Sequence, residues 1–431
     1  MSNQSKVVEK KNLLPYILIT SLFALWGFAN DITNPMVAAF QTVMEITAFK
    51  ASLVQFAFYG GYATMAIPAA LFIQKFSYKK GIILGLALYA TGALLFWPAA
   101  QFQAFGFFLG SLYILTFGLA FLETTANPFI LSLGSKETAT RRLNLSQAFN
   151  PMGSLLGMAV ASKIVLASLV SDKQRNAAGE LIFSSLDEAT KAAMRTQDLM
   201  VIRNPYVALG LIVLIMLVVI ALVKMPQSGH SESIHPLQSI KRLLKNKLYR
   251  EGVIAQIAYV AAQIMCWTFI IQYGENLGIS KSTAQNYNIV AMGIFLTSRF
   301  ISTAIMKYIN ARKLLVIFAI GAMITISGTI LIEGTMGLYC LVATSAFMSL
   351  MFPTIYGIAL GDVGEDVTLG SAGLVMAIVG GAVMPPLQAS IMDMGQIGSF
   401  AAVNISFILP FVCFIIIAIY GYRSYHFFKN N

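Results

Sequence analysis

Histidine, cysteine and charge are all scarce in this chain, and each shortage removes a class of function. The three histidines, His230, His235 and His426, lie in a polar connector or in the tail, so no His/Cys set with metal-ligand spacing is present and no metal site is expected. The three cysteines, Cys266, Cys340 and Cys413, fall inside apolar runs, where neither disulfide pairing nor metal binding is expected; they read as small core hydrophobes. No phosphate-binding glycine loop occurs, and Gly-rich pieces such as "YGGYAT" suit close packing of membrane helices. Charged residues make up only 11% of the 431 residues, while 57% are hydrophobic and the mean hydropathy is +0.74. No soluble domain of this size carries that balance, so the chain is an integral membrane protein.

Crossing a hydrocarbon core of about 30 Å takes about 20 apolar residues in a helix. Twelve such runs lie near residues 14–42, 49–75, 80–100, 103–132, 140–168, 203–224, 250–274, 284–307, 312–332, 337–360, 367–393 and 398–423. The first is too long and lacks a small-residue cleavage site, so no cleavable signal peptide is expected. The net charge of +11 raises nucleic acid as a partner, but the positions of the basic residues argue otherwise. Twenty of the 29 Lys and Arg fall before span one, in the even-numbered loops and in the tail, all on the side that holds both termini. That is an orientation signal, placing both termini in the cytoplasm.

Six spans, a polar connector over 225–249 and six further spans describe two helical bundles, 1–224 and 250–431, related by an axis along the membrane normal. Internal echoes support the repeat: "ANPFI" (126–130) against "FPTIY" (352–356), and Pro151 against Pro385 and Pro386. Proline and glycine concentrate in spans one, four, five, ten and eleven. Bends there fit a water-lined cavity, although the raised proline background of membrane helices would give the same pattern. Segment 171–200 is the one long extracytoplasmic insertion, read as a surface element beginning "SSLDEATKAAM", with Ser185 three residues ahead of Glu188 as its helix cap.

Charges inside the spans are few. Asp31, Glu123 and Arg299 sit deepest, and a carboxylate at mid-bilayer costs on the order of 3 kcal/mol unless it is protonated, paired or faces a wet cavity. Arg299, eight residues before Lys307, is expected to snorkel to the cytoplasmic end or cap a helix. Asn34 follows Asp31 by three and Asn127 follows Glu123 by four, so each carboxylate shares a helix face with an amide. Asn144, Gln147, Asn150 and Ser154 form a polar stripe on span five, and Tyr259, Gln263 and Trp267 one face of span seven. Amides and carboxylates match sugar hydroxyls, which donate and accept, while an indole stacks on the C–H face; some of these amides serve equally well as interhelical glue. Burial disfavours the charged form of a carboxylic acid, so such a group can load a proton on one side and release it on the other.

"FLETTANPF" (121–129), "RLNLSQAFNPMG" (142–153), "AYVAAQIMCW" (258–267) and "GSAGLVMAIVGGAVMPP" (370–386) resemble the fucose, galactose and glucose proton symporter family of the major facilitator superfamily, the L-fucose permeases in particular. The likeness spans nearly the whole chain. It implies an all-α, twelve-helix, two-bundle (6+6) fold in a bacterial plasma (inner) membrane, monomeric, with a small sugar and the lipid bilayer as partners and no nucleic acid. It also implies no cofactor, a proton as coupling ion, and L-fucose uptake, with glucose or galactose as the alternative and an exporter of the same fold behind them. Glu123 matches the family's span-four glutamate, and Gln147 and Asn150 its span-five sugar contacts. Two positions depart from the pattern. The first-span aspartate of a "LND" pattern would stand at Asn34, whereas the acid here is Asp31, and Phe352 in "MFPTIY" stands where the fucose-permease pattern has tyrosine. The expected proton-coupling pair is Asp31 and Glu123. The expected sugar contacts are these two with Asn34, Asn127, Gln147, Asn150, Tyr259, Gln263 and Trp267.

Overall fold

The computed structural model describes residues 8–46, 48–135, 138–174, 176, 182–226, 236–279 and 281–430. Twelve of its helical segments are long and apolar enough to cross a membrane. In the first six spans, α1 is Leu13–Thr33, followed by a short α2, Met36–Val43; α3 is Ala48–Lys75; α4 (Tyr78–Leu94) and α5 (Phe96–Phe102) form span three; α6 is Phe105–Ser132; α7 (Ala139–Gln147) and α8 (Phe149–Val160) form most of span five; and α9 is Glu188–Leu222. A connector helix, α10 (Pro236–Lys245), leads to span seven, made of α11 (Lys247–Thr268) and α12 (Ile270–Asn276). Then come α13 (Lys281–Ile305), α14 (Ala311–Leu331), span ten as α15 (Thr335–Met348) and α16 (Met351–Leu360), span eleven as α17 (Val367–Met376) and α18 (Gly380–Met392), and span twelve as α19 (Ala402–Ser406) and α20 (Ile408–Asn430). A two-residue hairpin, Gln396–Ile397 with Phe400–Ala401, joins the last two spans.

Proline explains most of the breaks. Leu95, Ala148, Leu350 and Phe407, where spans three, five, ten and twelve are interrupted, each lie three residues ahead of a proline: Pro98, Pro151, Pro353 and Pro410. A proline has no N–H for the carbonyl four residues back, and its ring crowds that turn. In span one the chain leaves the helix at Asn34–Pro35, so the run expected at 14–42 is two helices, and Asp31 lies in the last turn of the first.

The sixth span starts earlier than its hydropathy indicates. α9 is one helix from Glu188, so the second half of the supposed insertion 171–200 is the leading part of that span. Its cap is Asp187, which accepts from the Thr190 N–H at 3.0 Å, and not Ser185, which donates to Ile182 O at 2.7 Å. The Thr190 side chain, with the Thr190 N–H second, holds the Asp187 carboxyl below its ordinary range. Charges at Glu188, Lys191, Arg195 and Asp198 hide the helix from an apolar scan, yet they anchor the loops around it. Glu45 pairs with Lys191 (3.1 Å) and Arg195 (2.7 Å), and Asp198 accepts from the N–H groups of Val170 and Ser171 at 2.7 and 2.9 Å.

Glycine sets the closest contact inside the first bundle. A Cβ on Gly153 would stand 1.8 Å from Ala24 O, so α1 and α8 pack backbone to backbone and no larger residue fits. Between the first six spans and the last six, α17 packs on α3 and α6, α13 on α7 and α8, and α16 on α7. Among the described residues, side-chain hydrogen bonds cross this seam at Tyr78–Thr368 (3.4 Å), Ser371 to Thr124 O (3.4 Å) and Arg299 to Gln147 O (3.2 Å). All fall in the part of the spans nearest the termini, so the two halves are closed on that side.

Candidate functional site

The two buried carboxylates are not at one depth. Asp31 is eighteen residues along α1 from Leu13, about 27 Å from the termini side, and Glu123 is nine residues before Ser132, about 14 Å from it. The expected residues therefore fall into two layers.

The outer layer is built where α1 ends. Asp31 is buried, with its Oδ2 accepting from Asn30 and its Oδ1 from Asn34, both at 3.4 Å. Asn34 is half-buried and, three residues on with helical backbone, shares the helix face of the acid. Tyr59 of α3 donates to Asn30 Oδ1 at 3.5 Å. Thr33 and Tyr206 exchange a hydrogen bond of 2.9 Å, with the Tyr206 ring stacked 3.9 Å from Phe96. At a similar distance along α11, the half-buried Trp267 donates from Nε1 to Ser345 Oγ (3.1 Å) and packs edge-on to Phe295.

The inner layer centres on Glu123, which is 5% exposed, and its Oε2 is buried without a hydrogen-bond partner. Asn127 donates to the Glu123 backbone carbonyl at 3.0 Å, and its own Oδ1 accepts from Gln147 Nε2 at 3.0 Å. The α6 and α7 amides are thus joined in one chain that starts beside the acid. Tyr62 and Tyr356 both lie within electrostatic reach of Glu123. Tyr356 bonds Ser371 Oγ, which in turn donates to Thr124 O next to Glu123. Tyr259 is buried edge-on to Phe352 (6.1 Å), and Phe352 is stacked on Tyr356 (6.2 Å).

Asn150 donates to Phe23 O of α1 at 3.3 Å; Gln263 is half-buried. Arg299 does not snorkel; it takes the other role expected of it, capping helix ends, since Ser349 is the C-cap of α15 and Gln147 the last residue of α7. It is 4% exposed, its Nε donates to Ser349 O at 2.6 Å, its Nη1 donates to Gln147 O at 3.2 Å, and its guanidinium lies 4.6 Å over the Phe295 ring. The sequence reading missed Asn30, Tyr59, Tyr62, Tyr356 and Ser371. Only Asn30 carried a local signal, as the neighbour of Asp31; the rest meet the acids through helix packing.

The comparisons place this architecture. Residues 18–385 match the family model described as Major Facilitator Superfamily. The chain is 63% identical over 427 residues to the L-fucose-proton symporter of Haemophilus influenzae, covering 99% of this chain and 100% of that one. It is 31% identical over 409 residues to a glucose/galactose transporter of Brucella abortus, covering 94% and 92%. Among solved structures, a major facilitator transporter, FucP, crystallised in the outward conformation, superposes with a TM-score of 0.85 at 32% identity, over 96% of this chain and 99% of that one.

Proposed function

Because this chain belongs to the Major Facilitator Superfamily, we propose that it imports L-fucose together with a proton by alternating access. The observation that carries the coupling is Glu123 itself: a buried carboxyl with one oxygen lacking a protein partner, at the head of an amide chain and beside the seam between the two halves. A charge there is costly, so the acid favours a bound proton whenever water is excluded and gives it up when the termini side opens.

The halves, 1–224 and 250–431 with 225–249 as connector, rock about this site. The sugar sits between the layers, its hydroxyls meeting Asp31, Asn34, Glu123, Asn127, Gln147, Asn150, Tyr259 and Gln263, and its C–H face meeting Trp267. Asp31 and Glu123 carry the proton. If sugar and proton stabilise the same occluded state, the gradient of one drives the other. The choice of L-fucose follows the Haemophilus relative. Phe352, which lacks the hydroxyl of the fucose-permease pattern, favours D-glucose or D-galactose as the second reading, although Tyr356 carries a hydroxyl one turn further along the same helix. We assign the protein to transport and not catalysis, without a cofactor, as a monomer in the bacterial inner membrane with both termini cytoplasmic, in keeping with the basic residues on that side.

The test is uptake of labelled L-fucose, D-galactose and D-glucose into proteoliposomes under an imposed inward proton gradient. L-fucose alone should be concentrated, and collapse of the gradient should abolish concentration. Gradient-driven uptake of glucose or galactose without L-fucose would replace the first reading by the second.

A further inference from the structure

Arg299 is a buried cation for which neither reading above has a use. No carboxylate lies within salt-bridge distance of it among the described residues. Its two hydrogen-bond acceptors are backbone carbonyls, Ser349 O in its own half and Gln147 O in the other. These carbonyls have one property in common. Ser349 stands four residues before Pro353 and Gln147 four residues before Pro151, so each is a helix carbonyl whose normal N–H partner has been deleted by a proline. An arginine fork can hold two such acceptors at once in fixed geometry, and its poorly hydrated guanidinium tolerates burial on an aromatic ring better than an ammonium would.

We propose that Arg299 is a state-selective clasp that holds the termini side closed by bridging the two proline-freed carbonyls. The bond to Ser349 lies within one half and survives any movement between halves. The bond to Gln147 crosses the seam and must break when the termini side opens, so its free energy is gained only in the closed state. Gln147 is also the residue whose side chain joins Asn127 beside Glu123. The clasp therefore grips the backbone of the amide chain, and Arg299 acts as a positioning residue. The inference rests on closure of the seam in this structure and needs neither the identity of the sugar nor the coupling ion.

The experiment uses the full chain with Cys266→Ala and Cys340→Ala, a Thr368→Cys reporter in the closed seam, and native Cys413, buried in α20, as an internal measure of general loosening. Alkylation of both cysteines by N-ethylmaleimide is followed by peptide mass spectrometry. Arg299→Met should raise the labelling rate of the seam reporter about tenfold by shifting the population toward the open state, leave Cys413 unchanged, and be partly rescued by Arg299→Lys. Pro151→Ala restores an N–H for the Gln147 carbonyl while keeping the arginine; it should open the seam to a similar extent, and Arg299→Met should add little on top of it. An unchanged seam rate in Arg299→Met, equal increases at both cysteines, or simple additivity of the Arg299 and Pro151 effects would overturn the proposal.

Discussion

A buried acid surrounded by amides can be changed by one atom without changing its shape, which makes Glu123 and Asp31 the residues to test. Glu123→Gln removes the titrating oxygen and keeps the side-chain volume. Pulled by a proton gradient, this variant should fail to concentrate sugar while still exchanging labelled for unlabelled sugar across the membrane; concentration against a gradient would end its assigned role. Asp31→Asn should lower energised uptake more than about tenfold, a loss of about 1.4 kcal/mol or more in the coupled step, with exchange reduced far less. Equal losses in both would make Asp31 a sugar contact and not a coupling group. Both acids were legible in the sequence because a carboxylate in an apolar run has few bland explanations. The Asn127–Gln147 bond was not, since twenty residues and a helix hairpin separate its partners. Arg299 was legible only in part: its position near a helix end suggested snorkelling or capping, and it caps, but the two carbonyls it holds belong to other helices and carry no local signal.

Among the elements, prolines and charges govern what hydropathy cannot see. Breaks at Leu95, Ala148, Leu350 and Phe407 follow from a proline three residues on, and the split of span one at Pro35 follows the same chemistry. A scan for apolar runs joins these pieces because a break removes no hydrophobic residue. The opposite error hid the start of α9, whose first turns are charged because they face the loops and not lipid. Glu45 reports on that contact. Its φ of 50° is left-handed, a conformation costing a non-glycine residue roughly 1–2 kcal/mol, and its ion pairs with Lys191 and Arg195 offset the strain. Glu45→Ala loses the pairs and keeps the strain, whereas Glu45→Gly loses both. Thermal unfolding in detergent should place Glu45→Gly above Glu45→Ala by roughly 1 kcal/mol, and the reverse order would contradict the account.

At the level of the whole molecule, the twelve spans and their 6+6 arrangement were legible because bilayer thickness imposes its length on every crossing helix. Which side is closed was not legible. One sequence must support both the outward-facing and the inward-facing state, with a gap of only a few kcal/mol between them. The seam of Tyr78–Thr368, Ser371–Thr124 and Arg299–Gln147 identifies the state seen here as closed toward the termini. With those termini cytoplasmic, as proposed, the same state is closed toward the cytoplasm. Proton-linked sugar uptake through Glu123 is the central claim, and its most direct test is the external pH of a de-energised, weakly buffered suspension of cells expressing the protein when L-fucose is added. Alkalinisation with the native chain and none with Glu123→Gln at equal expression is the predicted result; no pH change with the native chain, or an equal change with both, would contradict it.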